Sequence, residues 1–582
     1  MTDKFLITNY TNEIPAIIKD LSLIRHNHGI KVYSKLNYFE FDNIIILIDG
    51  FVVPRNKIFN QYKQFEQYEL VYRLYKKYGE IFASYIKGFF CIAIIDNDIA
   101  LLVNDIHSVK RCYIGHKEES TFISNDLKSL SSFINFNFNK NAPIIQATLQ
   151  HFVKGMTLFD NISYSEPSSI ITLNSHNFVN RKYFSPSDLI KLDRSQTNRK
   201  DFIEIFKNSI SNYIEYLNPK LISTTLTGGR DTRTILSVLI NLGIEPHCFT
   251  FGLPTGTDVN TAKIVSNKCG LSFSNHYIED LNSKTYGSLV NEIISLGKPH
   301  INLHRAHRLD AIQKENMIAN GNLEMVFVGA MGGDYIMGEH FNDYILTEFL
   351  RRFLTENTSE RIIISDILNK HSVRFDNNTI DFIIAYLESV ELYHNKFNKN
   401  VEFNLVHNII GCSHDIQDID LFLEQSKYVI APFMDIDIIE ALFSSQMSLF
   451  SNTRHTKNPF KRLIGGELQC QIIKQFAPKL ANVPFANLYT PNDVLGNRYL
   501  YILKRIYLQS TKAPTNPTFR YDFWFQDFIN EHLTSNEEFI SQFYNYNILK
   551  EDFKMLNHKS IEGYWHKYTN PINLSLYLNN LK

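Results

Sequence analysis

Little net charge, few cysteines and no long apolar run mark this 582-residue chain, and each shortage excludes something. Lys and Arg total 59 against 60 Asp and Glu, a formal net charge of -1. Bulk charge therefore gives no support for a nucleic-acid or membrane partner. No apolar run approaches the length of a membrane span. The six cysteines (Cys91, Cys112, Cys248, Cys269, Cys412 and Cys470) are scattered, with no Cys-x-x-Cys among them. They read as buried free thiols of a cytoplasmic protein. The opening Met1-Thr2-Asp3-Lys4-Phe5 lacks the basic-then-apolar layout of a secretory leader. The chain has no fixed-period repeat and no low-complexity tract.

What is present is a globular composition, 44% apolar and 20% charged, with length for two to four domains. The first 185 or so residues are strand-rich. Ile44 to Ile48 is an apolar run ending in Asp49-Gly50. Gly88 to Asp98 reads as a buried strand entering a turn, with Ile99 to Val103 as its hairpin partner. From about residue 198 the texture changes. A helix over 199–217 precedes a strand near 221–226, then a strand at 248–251, a helix at 258–269 and a strand at 325–328. This alternation predicts a parallel α/β sheet. Beyond about 340 the pattern is mainly helical.

The most informative stretch joins those two textures: Ser223-Thr224-Thr225-Leu226-Thr227-Gly228-Gly229-Arg230-Asp231-Thr232-Arg233. A strand ends in a hydroxyl, two glycines and an aspartate, and a helical pattern starts at once. Such a turn suits an anion. The glycines admit close approach, the free N–H groups point outward, and the helix dipole adds positive charge. Thr227 and Thr232 add hydroxyls. Asp231 cannot itself hold a phosphate; beside one, its natural role is to carry Mg²⁺. No Gly-Lys-Ser/Thr follows, so the turn is not a Walker A loop.

This segment resembles the pyrophosphate-binding loop Ser-Gly-Gly-x-Asp-Ser of ATP pyrophosphatases, with Thr227 and Thr232 in place of the serines. Four further segments, in matching order, extend the resemblance to the asparagine synthetase-like family. Thr250 to Asp258 is similar to its second strand and the turn that follows. Val328-Gly329-Ala330-Met331-Gly332-Gly333-Asp334 resembles its Gly-Glu-Gly-x-Asp-Glu motif. Ala431-Pro432-Phe433-Met434-Asp435-Ile436-Asp437-Ile438-Ile439-Glu440 resembles its Pro-Phe-Leu-Asp segment. Lys461-Arg462-Leu463-Ile464 falls at its Lys-x-x-Leu-Arg segment. Gly88-Phe89-Phe90, Asn104-Asp105, Tyr113 and the run Phe122 to Lys128 resemble its glutaminase half.

The resemblance implies a fold and a division of the chain. Residues 1–190 would form a degenerate α+β glutaminase-like domain, an αββα sandwich of the N-terminal-nucleophile type. Residues 191–495 would form an α/β synthetase domain with a parallel sheet of the ATP-pyrophosphatase type. Residues 496–582 would be a helical extension. It also implies ATP and Mg²⁺ as cofactors. Leu226, Thr227, Gly228, Gly229, Asp231, Thr232, Phe251 and Gly329 would contact the nucleotide, and Asp231 and Asp334 the metal. Lys461 would neutralise developing charge, with Lys457 as a competitor. Arg230 and Arg233 would either pair with a phosphate or substrate carboxylate, or form a salt bridge on the first helical turn.

The departures matter. The family's glutaminase needs a cysteine after the initiator Met, and here Thr2 stands there. Thr2 is either an N-terminal nucleophile or an ordinary terminus. Cys91 sits inside a predicted buried strand. The expectation is an ATP-dependent ligase that activates a carboxylate as an acyl-adenylate, for an amine not made by on-site glutamine hydrolysis. β-Lactam synthetases and lasso-peptide cyclases share that defect. The alternatives are a glutamine-hydrolysing asparagine synthetase and a non-catalytic relative. The partners expected are a small-molecule or peptide carboxylate and an amine, without nucleic acid or membrane. Oligomeric state and the identity of either substrate are not written in these motifs. His300, His304 and His307 have helical spacing that suits a metal site or, more plainly, a pocket wall or helix surface.

Overall fold

The computed structural model describes residues 4–10, 21–27, 29–149, 152, 155–277, 283–329, 348–389, 415–447, 466–510, 521–554 and 565–581. Two antiparallel six-stranded sheets occupy the N-terminal part. One runs, in spatial order, Ile162–Tyr164, Tyr113–Lys117, Ser120–Ser124, Phe5–Thr8, Ile30–Ser34 and Ser22–Asn27. The other runs Phe178–Lys182, Ser169–Leu173, Ile99–Asn104, Phe90–Asp96, Ile44–Gly50 and Tyr38–Phe41.

Side-chain alternation explains how they stack. In Ile44–Gly50, Ile45 and Leu47 join a core with Phe5, Ile7 and Val32 of the facing sheet. Ile44, Ile46 and Ile48 point the other way, onto Leu70, Val71 and Leu74 of the helix Gln67–Tyr78. A strand apolar on both faces thus reads as a continuous run because both faces are covered. The Ile44–Ile48 run is fully buried for this reason. The helices Leu127–Ser131 and Ala142–Leu149 pack with Leu6, Tyr113 and Phe122 on the outer side of the first sheet. The layering is helix, sheet, sheet, helix. The hairpin joining Phe90–Asp96 to Ile99–Asn104 turns at Asn97 with φ +53°, a left-handed value asparagine tolerates.

The C-terminal part contains a five-stranded parallel sheet. Its order is Phe273–Asn275, His247–Thr250, Ile222–Thr225, Met325–Phe327 and Tyr428–Ile430. Ser223 pairs with His247 on one side and Val326 on the other. The helix Asp231–Asn241 follows the central strand and is buried from Thr232 to Leu239, packed against Glu467–Phe476. Helix Arg199–Leu217 has the predicted bounds, capped by Asn198, whose side chain accepts from Lys200 and Asp201 N–H groups. The expected strand at 248–251 lies one residue earlier, so Phe251 stands just past its end. Cys91, Cys112, Cys248 and Cys470 are buried free thiols and Cys269 is half-buried; Cys412 lies outside the described residues. Among the described residues no helix is long and apolar enough to cross a membrane.

Three buried histidines, His300, His307 and His371, set an acid limit on this fold, and burial holds His307 the lowest of them. Burial pulls both His300 and His371 down to about 4. A histidine free in the unfolded chain titrates near 6.5, so the unfolded state binds protons first as pH falls. Stability from His300 and His371 is fully present above about pH 6.5 and is lost between there and about pH 4. Urea midpoints should fall on going from pH 7 to pH 5, by an amount equivalent to about 2–4 kcal/mol. His371→Gln should flatten the slope; an unchanged slope would refute the assignment.

Candidate nucleotide loop and its surroundings

The strand order places the glycine-rich turn where open α/β sheets bind ligands. Successive strands run outward from Ile222–Thr225 to one edge, then the chain returns to Met325–Phe327 on its other side. The crevice at that reversal lies between the loops following these two strands. One is the Thr227–Arg230 turn; the other begins at Val328-Gly329.

The turn is held by its own hydroxyls. Leu226 is buried, and its N–H donates to the Phe249 carbonyl at 2.7 Å. The Thr227 N–H donates to Thr232 Oγ1 at 3.1 Å, and the Gly229 N–H to Thr227 Oγ1 at 3.1 Å. The two threonine hydroxyls are 3.3 Å apart. The Gly228 N–H donates to Asp258 Oδ1 at 3.1 Å. A carboxylate from the first turn of helix Thr257–Cys269 thus already sits on one of the loop's donors.

Both flanking glycines are sterically required. A Cβ on Gly228 would lie 2.6 Å from the Ala486 Cβ and 2.6 Å from Asp258 Oδ1. A Cβ on Gly329 would lie 2.8 Å from Thr232 Cγ2 and 3.2 Å from the Asp231 Cβ. Gly228→Ala should therefore push the turn off Ala486 and Asp258, at a cost of about 1–3 kcal/mol. Thermal denaturation with and without Mg-ATP checks this: the variant should melt lower and lose any ligand-induced rise.

Asp231 is the first residue of its helix and half-buried. The Gln469 amide nitrogen donates to its Oδ1. Gln469 is fully buried, and its Oε1 has no hydrogen-bond partner. Sequence reasoning missed this residue, because a glutamine inside a helical pattern carries no signal of its partner. Arg230 lies against Gly466, a left-handed residue at φ +77° where a side chain would strike its guanidinium.

Arg233 departs from its expected place beside a phosphate or substrate. Helical spacing carries it to the far face, where it is fully buried. It donates to the carbonyls of Val483 at 2.7 Å and Pro484 at 3.0 Å, with its guanidinium 4.3 Å from the Phe485 ring. Burial pulls it down to about 10, still cationic at neutral pH. It anchors the 483–485 segment instead of facing the loop. Phe251 lies near the strand end, its ring 5.6 Å from His307 and 5.2 Å from the Arg308 guanidinium. Asp334, Lys457, Lys461 and Thr2 lie outside the described residues.

The three histidines do not share one helix. A 3₁₀ turn, Leu303–Arg305, intervenes before helix Ala306–Ile318 begins. His300 pairs with Asp420 at 3.0 Å, His304 with Asn302 at 2.8 Å, and His307 Nδ1 with the His304 carbonyl at 2.9 Å. Among the described residues, no group of three metal-ligating side chains gathers anywhere.

Cys91 has no nucleophile's surroundings. It is buried between the two sheets, and the neighbouring Cys112 and burial push its thiol well up. The segment after strand Tyr428–Ile430 instead faces the N-terminal part. Asp435 and Asp437 accept from Lys87 at 2.9 and 3.2 Å, and Asp437 from Arg55 at 2.8 Å.

No protein-family model matches the sequence, and no curated protein matches it. Solved structures align only in part. About half of the chain, 51%, aligns with 64% of the glutamine phosphoribosylpyrophosphate amidotransferase from B. subtilis complexed with ADP and GMP, at 10% identity and a TM-score of 0.18. A second alignment pairs 47% of the chain with 60% of the allosteric regulatory enzyme of purine biosynthesis, at 10% identity and a TM-score of 0.19. The chain spans less than two thirds of either, and scores this low carry no argument about activity.

Proposed function

We propose that the protein is an ATP-dependent amide-forming ligase of the asparagine synthetase-like kind, activating a carboxylate as its acyl-adenylate. The observation that carries the reading is the placement of Thr227-Gly228-Gly229-Arg230-Asp231 at the reversal point of a parallel sheet, directly before a helix. The glycine cradle admits close approach of a polyphosphate, which would displace the Asp258 carboxylate from the Gly228 N–H. Thr227, Gly228, Gly229 and Thr232 would hold pyrophosphate oxygens by N–H and hydroxyl donors that would turn from their internal acceptors, Thr232 Oγ1, Asp258 Oδ1 and Thr227 Oγ1, to the ligand. Leu226, Phe251 and Gly329 would border the nucleoside. Asp231, with Asp334, would hold Mg²⁺, which neutralises phosphate charge when bound.

The chemistry takes two displacements. A substrate carboxylate oxygen attacks the α-phosphorus, the bond to the β-phosphate oxygen breaks, and pyrophosphate leaves. An amine then attacks the acyl carbon, loses a proton, and displaces AMP. Lys461 would stabilise the negative charge that develops. Thr2 in place of a cysteine favours an amine supplied from outside over one made from glutamine in the N-terminal part, and Cys91, buried between the two sheets, is not placed to act instead.

The test is pyrophosphate–ATP exchange with a panel of carboxylic acids and amino acids. Exchange supported by one acid would name half of the reaction. Glutamate released from glutamine would instead restore a glutamine-hydrolysing enzyme. Failure to bind Mg-ATP would refute the ligase reading.

A further inference from the structure

Beside the loop lies a cavity of about 210 Å³ walled by Arg230, Phe485, Asn487, Tyr489, Tyr501 and Arg505. We propose that it is a binding subsite for a small anionic group, carboxylate or phosphate, with Arg230 and Arg505 as its cationic walls. Its place in catalysis rests on the ligase reading; its anion binding does not.

Contiguity with the loop is the first support. The Ala486 N–H donates to the Gly228 carbonyl at 2.9 Å, so the 485–489 wall is bonded to the turn itself. The Phe485 N–H closes that wall on the Tyr489 carbonyl at 2.7 Å, and Arg233 fixes it from behind. The wall is therefore held in register with the loop.

Charge is the second. Two guanidiniums line the cavity, and no carboxylate does among the described residues. The nearby carboxylate of Asp493, in the first turn of the short helix Pro491–Leu495, is taken up by Thr490 and by Lys504, the latter at 2.6 Å. Guanidinium forks match carboxylate and phosphate geometry with two parallel donors. The phenols and the Asn487 amide give further polar edges on otherwise aromatic walls.

The third is the origin of the second arginine. Helix Arg498–Ser510 belongs to the stretch to which the sequence assigns no role. Its Tyr501 and Arg505 are one turn apart and share a face. Tyr501 is buried, with its ring 5.5 Å from that of Tyr489, and this contact aims the next turn at the cavity. The helix thus completes a site that starts at the loop. At about 210 Å³ the cavity far exceeds the space one water needs, so a carboxylate or phosphate group fits within it.

Calorimetric titration of the full chain with inorganic pyrophosphate and with glutarate tests this. Wild type should bind at least one of them. Arg505→Ala should weaken that binding about tenfold or more, and Arg505→Lys by less, because charge remains without the fork. Leu503→Ala, exposed on another face of the helix, should not change it. Circular dichroism melts establish that each variant is folded. Pyrophosphate binding that ATP displaces would assign the subsite to the nucleotide's phosphates. Glutarate binding that persists with ATP present would assign it to a second acidic group on the acid substrate. Binding unchanged in Arg505→Ala, or no binding of either anion by wild type, would overturn the proposal. Loss of anion binding in Arg505→Ala in a protein that never binds Mg-ATP would leave the subsite standing and remove the ligase reading.

Discussion

Asp231→Asn should lower pyrophosphate–ATP exchange at least a hundredfold, equivalent to about 2.7 kcal/mol of lost transition-state stabilisation. The change is isosteric. The substituted amide would keep an oxygen for the Gln469 side chain, so the helix start and its packing should survive. What disappears is the charge at the crevice where the loops after strands 222–225 and 325–327 meet. On the proposed reading a carboxylate there would serve a cation, because a bare acid beside a polyphosphate is repelled by it. The loss should deepen at low Mg²⁺, and raising Mg²⁺ should recover part of it. Gln469→Leu is the informative companion. It leaves the charge and removes the group that aims it, so a drop of about tenfold, with a raised Mg²⁺ requirement, is expected. Equal exchange by wild type and Asp231→Asn would mean that the loop does no nucleotide chemistry.

The sequence exposes the two regions of this fold to different degrees, for physical reasons. Strands such as Phe90–Asp96 are legible because both faces are apolar and a short polar turn bounds them. The loop is legible as a strand–turn–helix unit because two glycines separate a β-rich run from a pattern of helical spacing. Arg233 shows where local reasoning stops. It follows Asp231 by two positions, about half a turn of helix, and this rotation carries it from the loop to the carbonyls of Val483 and Pro484. The histidine spacing misleads in a similar way, because a 3₁₀ turn breaks the helical phase between His300 and His307. Gln469, Arg505 and Asn487 are invisible because their importance lies in contacts formed across hundreds of residues or around a cavity, and no spacing rule encodes those.

The same limit applies to the Asp435–Glu440 segment, and it leads to the largest stability effect expected here. Lys87→Met should destabilise the protein by about 3–5 kcal/mol. Lys87 and Asp435 are each 1% exposed at the side chain, with Nζ 2.9 Å from Asp435 Oδ2. Lys87 also donates to Asn56 Oδ1 at 2.9 Å, and Asp435 accepts from Ser209 Oγ at 2.6 Å. Methionine fills similar space but leaves Asp435 buried without its cation. The penalty comes from that stranded charge more than from the lost bond. Lys87→Met with Asp435→Asn should therefore be more stable than Lys87→Met alone, which a urea denaturation cycle on the four proteins would measure. A loss below about 1 kcal/mol in the single variant would contradict the argument. The cluster also joins a two-stranded ladder, Val53–Pro54 paired with Ile86–Lys87, to the parallel sheet. Lys87 and Arg55 come from the N-terminal part, and Asp435 follows the strand that flanks Met325–Phe327 in the parallel sheet. A chain whose Cys91 thiol is buried still has a reason to keep the N-terminal part folded, because that part grips the sheet next to the strand that leads into Gly329. Lys87→Met should accordingly reduce exchange as well as stability, and at temperatures where the variant is still fully folded.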